Sequence, residues 1–407
     1  MKSLSKGLKI KKFKLTKPKF SWNDLPILLT TLLLGLFGVV MVFSASKYYC
    51  QINYGNQFYD ATKQLIAFLI GAGALVFCST VDYHFYQKHK NIIIIVSLVL
   101  LALVFVPGIG TSSYGATRWI RLPGFTIQPS EIAKFGFVIF VSAYLAKNHD
   151  IVKTFRGILP VLGVTGVMCL LIMLEPNMSI TMCVGITALL LLFVGGTRSK
   201  HFAIISIPIV LLVPALIIIE PYRLQRLVAF LDPWQNPQGE GYQLLQSLYS
   251  IGEGGWFGVG LFNSRQKYMF LPFAESDFIF SIICEELGLF GAILVMLAFL
   301  VIIIGGIKIA KRAKDRFGGL LATGIVCVIA TQVLINIAVV SGSIPPTGVP
   351  LPLISSGGTS VVVFMSAIGI LLNISKQSRV WKLCFFEKYV KTITKMKIWW
   401  YNKTNGE

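Results

Sequence analysis

Charged residues are scarce in this sequence of 407 residues. Asp, Glu, Lys and Arg make up only 13% of it, whereas soluble globular proteins carry about 25%. The missing charge leaves long apolar runs, among them Asn91–Pro107, Ile158–Leu174 and Phe202–Ile219. Runs of this length are typical of membrane-spanning helices. The composition therefore excludes the soluble, disordered and fibrous classes, and it predicts an all-α polytopic membrane protein.

Histidine and cysteine are too few and too scattered for a metal centre or a disulfide framework. The four histidines lie on or near loops predicted to face the cytoplasm, and no Cys and His residues have metal-ligand spacing. Only Cys50 of the seven cysteines lies on the predicted outer side. An internal disulfide across the outer face is therefore excluded. The first apolar run, Leu25–Phe43, is too long for a cleaved signal peptide.

About ten transmembrane helices are predicted, with both termini in the cytoplasm. On this topology 28 of the 37 Lys and Arg lie on the cytoplasmic side, as the positive-inside rule requires. Orientation thus explains the net charge of +20 without nucleic acid. The spans are placed near 25–46, 62–80, 91–107, 131–147, 157–174, 179–196, 201–219, 278–306, 318–341 and 353–375.

Basic tails at 1–23 and 377–407 flank the predicted transmembrane domain at 24–376. Its longest outer loop, 220–276, joins spans seven and eight. Within that loop Gly241–Ile251 has helical periodicity. This periodicity suits either a helix lying in the membrane interface or a helix packed on the outer end of the bundle.

Ionisable residues at membrane depth are the candidates for chemistry, because each costs about 2.5–3.5 kcal/mol at a helix centre on the insertion scale. Asp277 begins span eight, where the helix dipole favours a carboxylate. A structural role and a catalytic role are both open for it. Glu285 and Glu286, deeper in the same span, are expected to hold neighbouring helices through hydrogen bonds.

A second group is basic and lies at the outer side. Glu131 and Lys134 are three residues apart and share a helix face, either as a local ion pair or as part of a cationic site. Arginine forks match phosphate oxygens. The group therefore suits either a lipid-linked phosphate ligand or lipid headgroups. Its other members are Arg118, Arg121, Arg223, Arg226, Arg265 and Lys267.

The segment Ser341–Pro352 contains four prolines. Because proline fixes φ and lacks a backbone donor, this segment is expected to be irregular backbone bordering a cavity. The following Ser355, Gly357 and Gly358 are expected to be structural, with the glycines allowing close helix approach.

Taken together, these segments resemble the SEDS family, which includes FtsW, RodA and SpoVE, and within it the FtsW branch. The resemblance runs in order from about Asp24 to Ser375. The stretches that carry it are Gly115-Ala-Thr-Arg-Trp-Ile, Gln128-Pro-Ser-Glu-Ile-Ala-Lys, Tyr222-Arg-Leu-Gln-Arg-Leu, Asp277-Phe-Ile-Phe, Glu285-Glu-Leu-Gly, Pro346-Thr-Gly-Val-Pro-Leu-Pro and Ile354-Ser-Ser-Gly-Gly-Thr-Ser.

The resemblance implies a peptidoglycan glycosyltransferase that polymerises lipid II at the outer face of the bacterial cytoplasmic membrane, in cell division or a related process. It makes Asp277 the essential catalytic acid, and it matches Glu131 and Lys134 to functionally important positions. It also implies undecaprenyl-pyrophosphate-linked glycan as a ligand. The implied partners are a class B penicillin-binding protein and other division proteins. A divalent cation, Mg or Mn, is compatible with this chemistry, but no ligand set for one is evident.

Three departures from the family pattern stand out. Glu275 adds a negative charge next to Asp277, Asn177 replaces a usual aspartate after span five, and Ser356 replaces a usual tyrosine. Two other functions stay open at this point. A lipid flippase or precursor transporter also has charges at membrane depth and an irregular proline-rich segment. A non-catalytic scaffold for cell-wall enzymes predicts that Asp277→Asn leaves function intact.

Overall fold

A computed structural model of the chain describes residues 24–378 except 114–115, 123–124 and 208–220, and the side chains of 112–116, 122–125 and 208–223 are also not described. The described part is mainly helical. Its helices are α1 (Leu25–Tyr54), α2 (Tyr59–Thr80), α3 (His84–Lys88), α4 (Lys90–Leu103), α5 (Pro129–Lys147), α6 (Phe155–Leu174), α7 (Met178–Val194), α8 (described over 199–207), α9 (Pro221–Leu231), α10 (Tyr242–Gly254), α11 (Ile279–Arg312), α12 (Arg316–Val340) and α13 (Gly358–Ser378).

Seven of the described helices are long and apolar enough to cross a membrane: α1, α2, α5, α6, α11, α12 and α13. The shorter apolar helices α4 and α7 coincide with predicted spans three and six. Predicted span seven, 201–219, starts within α8 and continues into residues that lie outside the described ones. The predicted all-α polytopic architecture is confirmed.

The two ends of the described chain lie together. Ser375 Oγ donates to Asp24 Oδ1 at 2.6 Å, and Gln377 Nε2 donates to Asp82 Oδ1 at 3.0 Å. We call this side of the bundle the termini end. The opposite side, where the loops 55–58, 104–128, 232–278 and 341–357 gather, is the cavity end.

A small antiparallel sheet occupies the connection between α4 and α5, which the sequence predicted only as a loop. It has the order β1 (Gly110–Ser113), β2 (Ala116–Leu122) and β3 (Phe125–Ile127). The outer strands β1 and β3, of four and three residues, leave too short an alternation to be recognised in sequence. The sheet matters because β2 carries Arg118 and Trp119 to the cavity end.

Helix α11 is broken, although one continuous span was predicted there. Gly288 has φ 65° and ψ −167°, outside helical geometry. The loop after α10 satisfies the groups that the break frees, since Val259 N–H donates to Glu285 O at 2.9 Å and Leu289 N–H donates to Gly255 O at 2.9 Å. The part after Gly288 is about 36 Å long, which is enough to cross a membrane by itself. Glu285 therefore lies near the loop and not at mid-depth.

Helix α10 packs on the bundle, which decides between the two alternatives left open for this segment. Its residues Leu244, Leu245, Ser247 and Ser250 are buried against α11 and α12. Part of this buried face is polar, because serine hydroxyl groups fill it. Ser247 Oγ bonds to Val340 O at 2.8 Å, so these positions are polar and yet fully buried.

Candidate functional site

A cavity of about 1470 Å³ opens between the loops at the cavity end. Ligand pockets for small molecules measure roughly 300–1,000 Å³, so this one has room for a larger molecule. Its wall is mixed. Methionines from the α6–α7 region line one part of it, and charged and polar side chains line the rest, among them Arg118, Arg226, Glu275 and Asp277.

Asp277 lies in the wall of this cavity, two residues before α11 begins. Burial raises the pKa of its carboxyl to about 6, and the positive charges of Arg118 and Arg226 oppose that rise. Gly348 lies directly against the carboxylate, since a Cβ added there would be 3.2 Å from Asp277 Oδ2. Gly348 also has φ +73°, where side chains are strained. A larger residue at 348 would therefore strain the backbone and press on this acid.

The two arginines are held in place through main-chain carbonyl groups. Arg118 Nε donates to Glu175 O at 3.1 Å, and its Nη2 donates to Pro176 O. Arg226 Nη1 donates to Pro346 O at 3.3 Å, and its Nε lies 3.8 Å from Glu240 Oε2. The structure thus brings Arg118 and Arg226 to the cavity beside Asp277. Arg223 is in α9, but its side chain lies outside the described residues.

Glu275 is a second acid in the same wall. Burial raises its pKa to about 7, and the charges of Asp60 and Asp277 add to the rise. Asn177, the second departure, accepts a hydrogen bond from Ile180 N–H through its side chain and caps α7. An amide performs this capping role as well as a carboxylate.

The predicted pair Glu131 and Lys134 is buried near the start of α5, behind the cavity wall. Lys134 Nζ lies 3.0 Å from Glu131 Oε1 and also donates to Gln332 Oε1. The other carboxylate oxygen of Glu131 accepts from Ser360 Oγ at 3.2 Å. Ser360 lines the cavity, and therefore connects the ion pair to it.

Lys267, Glu285 and Glu286 form a separate buried cluster. Lys267 Nζ lies 3.0 Å from Glu286 Oε1, which also accepts from Ser44 Oγ at 2.6 Å. Glu285 accepts from Ser264 Oγ at 2.6 Å and from Arg265 N–H at 2.6 Å. The two glutamates thus fasten the loop 264–267 to α11. Lys267 lines the cavity while its ammonium faces Glu286.

The proline-rich segment forms irregular backbone along the cavity, as its sequence predicted. Ser355 bonds to this backbone, and Gly357 N–H donates to Gln64 Oε1 at 3.3 Å. A Cβ added at Gly358 would meet Ala67 Cβ at an ordinary 3.5 Å. The tight approach is instead at Gly38 of α1, where a Cβ would lie 2.7 Å from Ile354 Cα.

Among the residues that the structure describes, no three His, Cys, Asp or Glu side chains come together as a metal-ligand set. The divalent cation that the resemblance left open therefore has no ready-made set of three such ligands among these residues.

Three amide side chains in the bundle contact the cavity segment and were not predicted from the sequence. Gln64 donates to Ser355 O at 3.0 Å, Gln332 donates to Pro350 O at 3.0 Å, and Asn336 donates to Val349 O at 2.7 Å. All three support the segment that lines the cavity. The sequence does carry a signal for them, since an amide side chain inside an apolar span needs a hydrogen-bond partner.

Comparisons with known proteins agree with this architecture. The family model of the FtsW, RodA and SpoVE cell cycle proteins matches residues 24–380. Stage V sporulation protein E of Bacillus subtilis is 40% identical over 88% of this chain and 98% of its own. A probable peptidoglycan glycosyltransferase FtsW of Geobacter metallireducens is 38% identical over 90% of this chain and 98% of its own.

Solved structures share the fold. The chain is similar to a solved structure that concerns the structural coordination of polymerization and crosslinking by a peptidoglycan synthase complex. The TM-score is 0.72 and the sequence identity is 22%. The match covers 88% of this chain and 98% of that one. The rod shape determining protein RodA of Thermus thermophilus gives a TM-score of 0.65 at 21% identity, over 89% of this chain and 98% of its own.

Proposed function

Because the chain belongs to the FtsW, RodA and SpoVE family of cell cycle proteins, we propose that it is a peptidoglycan glycosyltransferase. It polymerises lipid II into glycan strands at the outer face of a bacterial cytoplasmic membrane, with both of its termini in the cytoplasm. The observation that carries this proposal is the half-buried Asp277 carboxyl in the wall of a 1470 Å³ cavity, within the electrostatic influence of two arginines that line the same cavity. The name shared by the FtsW relatives supports it.

In the proposed reaction Asp277 is the general base. It accepts the proton of a sugar 4-hydroxyl as that oxygen forms a bond to the anomeric carbon of a second sugar. The bond from that carbon to the pyrophosphate oxygen breaks with inversion, and undecaprenyl pyrophosphate leaves with the electron pair. A base whose pKa is about 6 is ionised at neutral pH and still basic enough to take the proton.

Arg118 and Arg226 are proposed to bind the pyrophosphate. Each guanidinium is positioned by main-chain carbonyl groups before substrate arrives. Such preorganised charges stabilise negative charge that develops on a leaving group. Arg223, three residues before Arg226, is proposed to extend the same surface.

The remaining predicted site residues are proposed to position other groups of the cavity wall and to make no contact with the substrate. Glu131 and Lys134 orient Ser360 in the wall, and Lys267 sets the position of the loop that precedes Asp277. Glu285 and Glu286 fix that loop to α11. The SSGG segment, with Ser355, Gly357 and Gly358, shapes the cavity floor near the Asp277 loop.

A class B penicillin-binding protein is the proposed partner, and its transpeptidase would crosslink the strand. The similarity to a synthase complex of polymerisation and crosslinking supports it. Other division proteins are proposed to join the pair.

The test is gel analysis of glycan strands made from purified lipid II in liposomes, with and without a class B partner. We expect strands from wild type and none from Asp277→Asn. Glu253→Gln changes an exposed acid on α10 and should leave the strands unchanged. Lipid II that crosses the bilayer while no strands form under any condition would contradict the proposal and favour the flippase.

A further inference from the structure

The loop that carries Asp277 is held by its backbone. Three consecutive carbonyl oxygens of this loop each accept a hydrogen bond, and the donors come from two other parts of the chain. These bonds are Ser356 N–H to Glu275 O at 2.8 Å, Ser355 Oγ to Ser276 O at 2.6 Å, and Asn336 Nδ2 to Asp277 O at 2.8 Å. We call this set the carbonyl clamp.

Asn336 reaches into the clamp from α12, and both hydrogens of its NH₂ group are used, whereas its buried Oδ1 has no hydrogen-bond partner within the part of the chain that the structure describes. Nδ2 donates one hydrogen to Asp277 O at 2.8 Å and the other to Val349 O at 2.7 Å. The side chain is 1% exposed. Because both neighbours are carbonyl oxygens, the NH₂ group and not the amide oxygen must face them. The side chain is therefore a specific bridge between two segments of backbone.

The bridge joins the two segments that define the surroundings of the acid. One end holds Asp277 itself, and the other holds Val349, next to the Gly348 that lies against the Asp277 carboxylate. Ser355 tightens the same junction, since its hydroxyl donates to Ser276 O and accepts from Leu351 N–H at 2.7 Å. Loss of either side chain removes one of the three bonds of the clamp.

We propose that Asn336 and Ser355 are positioning residues for the glycosyl transfer, holding the main chain at 276–277 so that the Asp277 carboxylate keeps its place in the cavity. The proposal rests on the proposed role of Asp277 as general base. Neither residue is assigned any contact with substrate.

The clamp also accounts for the departure at Ser356. Residue 356 contributes its main-chain N–H to the clamp, and its side chain takes no part. Serine and tyrosine supply the same donor there. The loss of an aromatic side chain therefore leaves the clamp intact.

The experiment compares Asn336→Leu with Asn373→Leu, and it measures kcat and KM for lipid II together with thermal unfolding. Asn373 is a matched control, because it is also 1% exposed and bridges backbone, with Nδ2 2.9 Å from Ser79 O, but at the termini end. We expect Asn336→Leu to lower kcat about 10- to 100-fold, the size of a small misplacement of a reacting group, with KM little changed. Asn373→Leu should reduce stability but leave kcat near the wild-type value.

Ser355→Ala provides an independent test if Asn336→Leu does not fold. Its control is Ser378→Ala, a buried serine at the termini end that donates to Ser375 O at 2.7 Å. Ser355→Ala should lower kcat and Ser378→Ala should not. In a double variant the effects of Asn336→Leu and Ser355→Ala should combine to less than their product, because both release one loop.

The outcomes separate the two proposals. If Asp277→Asn still makes strands, the role of Asp277 fails. If Asp277→Asn is inactive while Ser355→Ala and Asn336→Leu keep kcat as their controls do, the positioning role fails alone.

Discussion

Two acids of different strength share the cavity wall. Burial is the main cause that raises the pKa of both, to about 6 for Asp277 and about 7 for Glu275. Only Asp277 has arginines that lower its pKa, whereas Glu275 has two acids that raise it further. Near pH 6.5 the first is mostly ionised and the second mostly protonated, so separate environments give two carboxyl groups different charge.

This difference predicts a bell-shaped dependence of strand synthesis on pH. The initial rate should rise through about pH 6 as Asp277 becomes the free base, and fall above about pH 7 as Glu275 places a second negative charge near the pyrophosphate. Glu275→Gln should keep the rise and abolish the fall. Glu253→Gln should retain both limbs. A falling limb that persists unchanged in Glu275→Gln would exclude this role of Glu275.

At the scale of elements, a buried ion pair fastens the loop 264–267 to α11. Lys267 and Glu286 are 4% and 0% exposed at the side chain, with Nζ and Oε1 3.0 Å apart. Removal of one partner of a buried pair costs about 3–5 kcal/mol, because the other charge stays buried. The pair therefore controls the order of the loop 264–267.

We expect Lys267→Met to lower the thermal unfolding temperature and to increase hydrogen exchange in the loop 258–267. The double variant Lys267→Met and Glu286→Gln should recover part of the loss, since it leaves no buried charge. Lys47→Met, an exposed lysine on α1, is the control and should unfold as wild type does. Equal losses in the single and double variants would show that the ion pair does not hold the loop.

The sequence predicted the elements that depend on composition and missed those that depend on contacts. Apolar runs located the spans, and rare charges pointed to Asp277, because the membrane favours apolar side chains and penalises charged ones. The break at Gly288 was not predictable, since it needs the loop at Val259 to satisfy the freed carbonyl of Glu285. The Asn336 bridge was missed for the same reason. Its partner Asp277 is 59 residues away in sequence.

At the scale of the whole molecule, a histidine links three parts of the termini end. His84 Nδ1 lies 2.7 Å from Asp82 Oδ1, and its Nε2 lies 2.5 Å from Asp315 Oδ2. Asp315 caps α12 through Gly318 N–H, and Asp82 accepts from Gln377 in α13. The hydrogen bond to Asp315, with the further bond to Asp82, raises the pKa of His84 above its ordinary value of 6.5.

A raised histidine pKa makes stability depend on pH in a defined direction. The contribution of His84 is complete below pH 6.5 and is lost as the pH rises through its raised pKa, because the folded state binds the proton more tightly. The thermal unfolding temperature should therefore fall as pH increases in that range. His84→Gln should flatten this dependence, and His149→Gln, in an exposed loop, should not. An unchanged dependence in His84→Gln would assign it to other groups.

The cavity end and the termini end thus have different roles in the bundle. The termini end joins helices through His84 and Asn373, and the cavity end presents Asp277 on a fixed loop beside two arginines. In the proposed reaction, the lipid-linked substrate enters from the bilayer, its sugar and pyrophosphate occupy the cavity, and Asp277 is the base.

The most direct test of this claim is the initial rate of strand formation at saturating lipid II for Asp277→Asn against wild type, with folding checked by thermal unfolding. A positioned base contributes about 10²–10⁴-fold, so we predict a loss within or beyond that range in a variant that unfolds at the wild-type temperature or above. The amide replaces a half-buried acid without changing its shape, so no structural loss should accompany it. A rate within tenfold of wild type would contradict the account.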